Sequence, residues 1–338
     1  MLSTILYGPG DIRVEDRDRP KIEKPTDAVI RVAVSCVCGS DLWPYRGLQA
    51  TDQPTPMGHE YCGVVEEVGS AVTTIKPGQF VIGSFFASDN TCPHCRFGYQ
   101  SSCQHREFVG GAQAPYLRVP LADGTLVATP DVPSDDLLPS LLAVSDVMGT
   151  GWFAADAANV KPGSTVAVVG DGAVGLLGTL SAKLMGAERI IAMSRHAPRQ
   201  AIARAFGATD IVEERGDAGV ERIKELTRGV GADSILECVG TQESMMQAIR
   251  SIRPGGSVGY VGVPHGVELD GQQLFFAHVR LHGGPAPVRR YLPDLIKMVF
   301  DRQIDPGRVF DMELPLAKVA DAYSAMDERR AIKVLLRP

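Results

Sequence analysis

The sequence predicts an α/β protein of two domains, one β-rich and one built on a doubly wound parallel sheet. Three observations carry this. Apolar strand runs broken by Gly/Pro turns dominate residues 1–145, alternating strand and helix patterns run from 146 to 285, and a strand–Gly-x-Gly-x-x-Gly–helix unit stands at Thr165 to Gly175. A chain of 338 residues fits two domains and can bury a large core.

Met1 to Tyr7 is a short apolar strand-like run closed by Gly8-Pro9-Gly10. Ala28 to Val37 is mostly β-branched and apolar, and Tyr61–Val68 and Gln79–Ile82 read as further strands, with turns such as Lys76-Pro77-Gly78 between them. Helical patterning begins near Asp135, where Leu137, Leu138, Leu141 and Leu142 share a side. Next come a strand at Thr165–Val169, a helix at Val174–Met185, a strand at Arg189–Met193 and a helix at Pro198–Phe206. Ser234–Cys238 and Ser257–Val261 are later strands. Alternation of this kind builds a parallel sheet. Helices at Leu292–Asp301 and Leu316–Met326 and a strand at Ala331–Leu336 then return to the first domain. The expected division is 1–145 with 286–338, against 146–285.

Net charge is −6 and no basic stripe is present, which argues against nucleic-acid binding. No run of 18 apolar residues occurs, so no membrane span is expected. The start of the chain lacks the charged opening and long apolar middle of a signal peptide, and a cytoplasmic location is expected. The seven cysteines, an odd number, argue against a disulfide framework in a reducing compartment. Cys92-x-x-Cys95 fits either a redox pair or half of a metal site. Pro93 and the polar run Ser88 to Thr91 suggest a loop, which favours ligation.

Gly170-Asp171-Gly172-Ala173-Val174-Gly175 follows the strand Thr165–Val169 directly. Gly170 permits the tight turn, Gly172 lets a pyrophosphate approach the backbone, and Gly175 lets helix and strand pack closely. Ala173 and Val174 open the helix, whose N-terminal N–H groups and dipole favour an anion. The predicted ligand is a dinucleotide on a Rossmann-type sheet. NAD-binding chains usually carry Asp or Glu at the end of the next strand, to bond the ribose 2′-hydroxyl. Here no acid lies between Arg189 and Gln200; Ser194, Arg195 and Arg199 stand there instead, donors suited to a 2′-phosphate. NADP(H) is therefore favoured over NAD(H).

Cys38-Gly39-Ser40-Asp41, Gly58-His59-Glu60 and the cluster Asp89, Cys92, Cys95, Cys103 read together as two zinc sites, one open and one closed. Zinc takes thiolate, imidazole and carboxylate, and three protein ligands leave a fourth position for a reacting oxygen. With the glycine loop and with Gly231-Ala232-Asp233 leading to Glu237-Cys238-Val239-Gly240, these motifs resemble the zinc-dependent medium-chain alcohol dehydrogenases, of the bacterial NADP-linked type, over nearly the whole chain. The resemblance implies a GroES-like catalytic domain before the Rossmann domain, and two zinc ions per chain. It implies a catalytic zinc on Cys38, His59 and Asp146, with Glu60 as an alternate ligand, and Ser40 as the hydroxyl that carries the substrate proton. It also implies a structural zinc in a Cys-x₂-Cys-x₂-Cys-x₇-Cys lobe. Asp89 stands in the first place of that lobe, ahead of Cys92, Cys95 and Cys103, and His94 and His105 are nearby substitutes. Many members have His three residues after the serine; here it is Trp43, whose indole is a donor only and cannot relay a proton. Trp43, Phe85, Phe86 and Trp152 are either pocket walls or ordinary core, and Cys36 and Cys62 read as core thiols.

The expected activity is hydride transfer between NADP(H) and a small alcohol, aldehyde or ketone, in a homodimer or homotetramer. A polyol, threonine or formaldehyde dehydrogenase is the alternative within the family; a catalytically silent NADPH-binding regulator is the alternative outside it.

Overall fold

The computed structural model describes residues 1–50 and 54–338. They divide into a discontinuous unit, Met1–Asp146 with Pro287–Pro338, and a contiguous one, Val147–Ala286.

The discontinuous unit is organised by the strand Ala28–Cys36, whose apolar residues are almost all buried. It pairs antiparallel with Tyr61–Val68, from Ala28 opposite Val68 to Ser35 opposite Tyr61, and also with Tyr116–Val119. Phe80–Gly83 and Leu126–Ala128 extend the sheet on one side; Val334–Arg337 and then Met312–Pro315 extend it on the other. Ile30, Val32, Tyr61, Val65 and Val81 pack one core, while Leu6, Val37, Leu42, Tyr323 and Leu336 pack another. These strands position the ends of the chain segments that carry Cys38 and His59.

The contiguous unit holds six parallel strands in the order Asp210–Val212, Arg189–Met193, Thr165–Val169, Ala232–Glu237, Ile252–Tyr260, Arg280–Gly283. The chain order reverses beside Thr165–Val169, where ligands of doubly wound sheets bind. Strand Thr165–Val169 is buried along its length, as its continuous β-branched run requires. Among the described residues no single helix is long and apolar enough to cross a membrane.

Several boundaries differ from the sequence expectation. Asp146 belongs to the discontinuous unit, not to the nucleotide unit. Strand Ser257–Val261 begins earlier, at Ile252, because the turn-like Pro254-Gly255 is absorbed in the strand, with Gly255 at φ +74°. The strand placed at Ala331 begins at Val334, since the N–H groups of Ile332 and Lys333 are taken by the Asp311 carboxylate. Helix Leu292–Asp301 starts at Val288 and runs through Pro293 in its second turn, where the missing N–H leaves the Arg289 carbonyl without its intrahelical donor. The Asp135 segment opens as one 3₁₀ turn before helix Leu138–Val144. The Cys92–Cys95 stretch is not plain loop, because Pro93–Arg96 forms one helical turn with Pro at its start.

Candidate metal centres and nucleotide loop

Cys38, His59, Glu60 and Asp146 come from three places in the chain, yet their ligand atoms all lie within 4.8 Å of one another, and all four residues are buried. Cys38 follows strand Ala28–Cys36, and His59 and Glu60 precede the paired strand Tyr61–Val68, so the ladder brings the two motifs together. Asp146 sits at the break between helices Leu138–Val144 and Val147–Ala157. Its Oδ2 is 3.3 Å from His59 Nε2 and 3.9 Å from Cys38 Sγ.

Around these atoms is a supporting layer that the motifs did not reveal. Asp41 Oδ1 is 3.3 Å from His59 Nδ1, and its Oδ2 accepts the Cys38 N–H at 2.9 Å. One carboxylate thus orients two of the candidate ligands, with His59 Nε2 left for a metal. Gln113 Nε2 donates to the Cys36 carbonyl at 3.0 Å and to the Tyr323 hydroxyl at 3.2 Å, tying the turn to helix Val319–Asp327. Glu60 Oε1 accepts from Lys333 Nζ at 2.6 Å, and Lys333 also donates to the Val37 carbonyl at 3.2 Å. The pair is fully enclosed: Glu60 is 0% exposed and Lys333 1%.

The electrostatics fit a divalent cation. Burial raises the Glu60 carboxyl, with Lys333 pulling it back, and burial likewise raises the Cys38 thiol. Burial opposes a proton on His59, but Cys38, Asp41 and Asp146 together hold the imidazole well above its usual range. Glu60 Oε2 is buried without a hydrogen-bond partner. Such a shell of anionic donors with an orphaned carboxylate oxygen has the chemistry of a cation site, and the mixed S, N, O donors are those of zinc.

Ser40 is half-buried, and its hydroxyl makes no hydrogen bond among the described residues. Trp43 lies in the single turn Leu42–Tyr45, its N–H donating to the Ser40 carbonyl at 3.2 Å. Phe85 packs edge-on to His59 with ring centroids 6.1 Å apart, and Phe86 stacks on Phe85 at 5.2 Å. Phe108, not singled out in the sequence, lies 5.6 Å from the His59 ring although its own ring is largely exposed. Trp152 belongs to the contiguous unit. Cys36 and Cys62 are buried thiols, and burial raises both.

The lobe forms a second cluster, with the ligand atoms of Asp89, Cys92, Cys95 and Cys103 within 4.8 Å. Cys92 Sγ is 3.5 Å from Cys95 Sγ and 3.9 Å from Cys103 Sγ. Backbone N–H groups of Asp89 and His105 point at Cys103 Sγ, at 3.4 and 3.3 Å, as thiolate-stabilising donors. Burial alone would raise the Cys92 thiol, but hydrogen bonds from Gln104, Cys95 and Cys103 bring it down to about 7. Asp89 Oδ1 accepts from Thr91 and Cys92 N–H, and Oδ2 is 2.7 Å from His105 Nδ1. His105 therefore supports Asp89 instead of replacing it. His94 is occupied elsewhere, its Nδ1 2.7 Å from the Ser102 carbonyl. Three sulfurs and one carboxylate converging in this way suit a closed zinc site.

In the contiguous unit, Gly170 has φ +116°, and a Cβ on Gly175 would stand 2.0 Å from the Gly170 carbonyl oxygen. Only glycine fits either position. Gly172 faces open space, and no side chain caps helix Ala173–Leu184, so its first N–H groups, beginning at Ala173 and Val174, are available to an anion. These features fit a pyrophosphate. At the end of the next strand, Arg195 is exposed and makes no hydrogen bond or ion pair among the described residues. Ser194 and Arg199, however, are both engaged by Asp171: Ser194 Oγ donates to Asp171 Oδ2 at 2.7 Å, and Arg199 Nη1 donates to the Asp171 carbonyl at 3.1 Å. No acid lies between Arg189 and Gln200, yet one stands beside this position in the fold. The acid comes from the neighbouring loop, not from the strand end.

Residues 24–131 match the family model described as an alcohol dehydrogenase GroES-like domain, and residues 173–300 the one described as a zinc-binding dehydrogenase. A zinc-type alcohol dehydrogenase B of Aspergillus flavus is 31% identical, spanning 100% of this chain and 81% of its own. A probable zinc-binding alcohol dehydrogenase of Mycobacterium tuberculosis is 34% identical over 100% of this chain and 89% of its own. The structure of the alcohol dehydrogenase TADH from Thermus sp. ATN1 superposes with a TM-score of 0.91 at 30% identity, covering 100% and 99% of the two chains.

Proposed function

Because the chain belongs to the zinc-dependent medium-chain alcohol dehydrogenase family, we propose that it interconverts an alcohol with its aldehyde or ketone, with NADP(H) as hydride partner ahead of NAD(H). The observation that carries the reading is the convergence of Cys38, His59 and Asp146 beside the Glu60–Lys333 pair. These three residues would hold a zinc ion, which when bound supplies a Lewis acid to the substrate oxygen. Asp41 keeps His59 in the tautomer that presents Nε2. Ser40, whose hydroxyl makes no hydrogen bond among the described residues, would take up the alcohol proton and release its own, and a bound nicotinamide would supply the hydride acceptor. Trp43 cannot carry that proton further, so it passes to water or to the cofactor ribose. Phe85, Phe86 and Phe108 give the His59 side an aromatic wall suited to an apolar substituent.

NADP(H) is supported by the unpaired Arg195 and by the absence of an acid at the strand end. An absorbance assay at the nicotinamide band with a panel of alcohols and ketones tests both parts. Turnover should be more efficient with NADPH than with NADH, and Arg195→Ala should raise the NADPH KM about tenfold while changing that for NADH little. Higher efficiency with NADH in the wild type would overturn the cofactor assignment.

The lobe is proposed as a structural zinc site. Elemental analysis should give about two zinc ions per chain, falling to about one in Cys95→Ser with turnover retained and the lobe loosened. One zinc in both proteins would remove the lobe site. A homodimer or homotetramer in the cytoplasm completes the reading.

A further inference from the structure

The acid that NAD-binding chains place at the end of the second strand has a counterpart here in another segment. Thr165–Val169 and Arg189–Met193 are parallel and in register, with Val169 opposite Met193. Asp171, two residues beyond the first strand, therefore lies against Ser194, one residue beyond the second. The Asp171 carboxylate accepts the Ser194 hydroxyl at 2.7 Å and lies 3.5 Å from Arg199 Nη1, with both charged side chains largely buried.

We infer that Asp171 limits the preference for NADP(H), accepting the adenosine ribose 2′-hydroxyl in place of the missing strand-end acid and opposing a 2′-phosphate. The inference rests on the dinucleotide reading of the glycine loop. Three consequences of the geometry point the same way. The carboxylate charge repels a phosphate dianion at this end of the sheet. It neutralises Arg199, which the sequence alone offered as a phosphate ligand. It also commits the only hydrogen of Ser194, so that hydroxyl presents lone pairs, which can accept from a ribose hydroxyl and cannot donate to a phosphate. Of the three residues placed for a 2′-phosphate, only Arg195 remains free to meet one. The chain thus holds two opposed determinants, and binds both cofactors with a preference set by their balance.

Fluorescence titration of the zinc-loaded protein with NADPH and with NADH, without substrate, tests this. In Asp171→Asn, which keeps the shape of the side chain and removes its charge, the ratio of NADPH to NADH affinity should rise about tenfold, the worth of one charge-assisted hydrogen bond gained or lost. An unchanged ratio overturns the inference and leaves the dinucleotide site standing. Failure of the wild type to bind either dinucleotide overturns both. Should Asp171→Asn not fold, Asp171→Ser serves, since it also removes the charge: the ratio should rise, and an unchanged or lower ratio would overturn the inference.

Discussion

Asp146→Ala is expected to abolish turnover in a protein that stays folded. In the proposed open site Asp146 is one of three donors, its Oδ2 standing 3.3 Å from His59 Nε2 and 3.9 Å from Cys38 Sγ. Removing it leaves Cys38 and His59, with Glu60 held by Lys333, a set expected to bind zinc weakly, and the Lewis-acid contribution of several kcal/mol goes with the metal. A loss of ~4 kcal/mol of transition-state stabilisation is about 10³-fold in kcat/KM. The fold should survive, because Asp146 sits at a helix junction and not in either hydrophobic cluster. Elemental analysis should show loss of one zinc, with far-ultraviolet dichroism unchanged. A variant with full zinc and wild-type kcat/KM would exclude Asp146 as a ligand.

The second large effect is on stability. Lys333→Met should destabilise the discontinuous unit by about 3–5 kcal/mol, since it leaves the Glu60 carboxylate buried and uncompensated. Adding Glu60→Gln should recover much of that loss, because the isolated charge is then gone. Urea unfolding of the two variants measures the difference; a single variant as stable as the wild type would mean that Glu60 is neutral in the folded protein. Burial opposes the charge on Lys333, but Cys36 and Glu60 hold its pKa above the ordinary lysine range. Its contribution is therefore complete below that range and lost only as pH rises through the higher folded value, so no transition from this amine is expected near neutrality.

The legible parts of the fold were those where pattern and structure coincide locally. Thr165–Val169 and Arg189–Met193 have the bounds read from their apolar runs, because buried parallel strands need continuous apolar residues and glycine or serine closes each one. Ile252–Tyr260 was read too short because Pro254-Gly255 carries turn chemistry, and the strand passes it as an irregularity between the paired residues Ile252 and Ser257. At the site, residue types and motif spacing pointed to Cys38, His59 and the lobe, and the family resemblance to Asp146; all are members of the two clusters. The supporting residues were invisible for a different reason. Lys333 meets Glu60 across 273 residues, and Gln113 meets Tyr323 across 210. No local period encodes such pairs. Asp171 was hidden in another way: it occupies an arbitrary position of the glycine motif, and only strand register brings it to Ser194.

The discontinuity of the metal-bearing unit has a consequence for its biosynthesis. Cys38, His59 and Asp146 are all present on a growing chain well before Lys333, which must wait for the whole contiguous unit and the returning segment. At an elongation rate of about 5–20 residues/s the interval is roughly 10–40 s. During it, strand Ala28–Cys36 lacks its partner Val334–Arg337 and exposes an unpaired edge, while Glu60 has no counter-ion. A nascent chain with two acids, an imidazole and a thiol gathered near one another would be stabilised by a divalent cation that arrives early. Zinc supplied during expression is then expected to raise the folded yield of this protein more than zinc added after release, measured on parallel cultures.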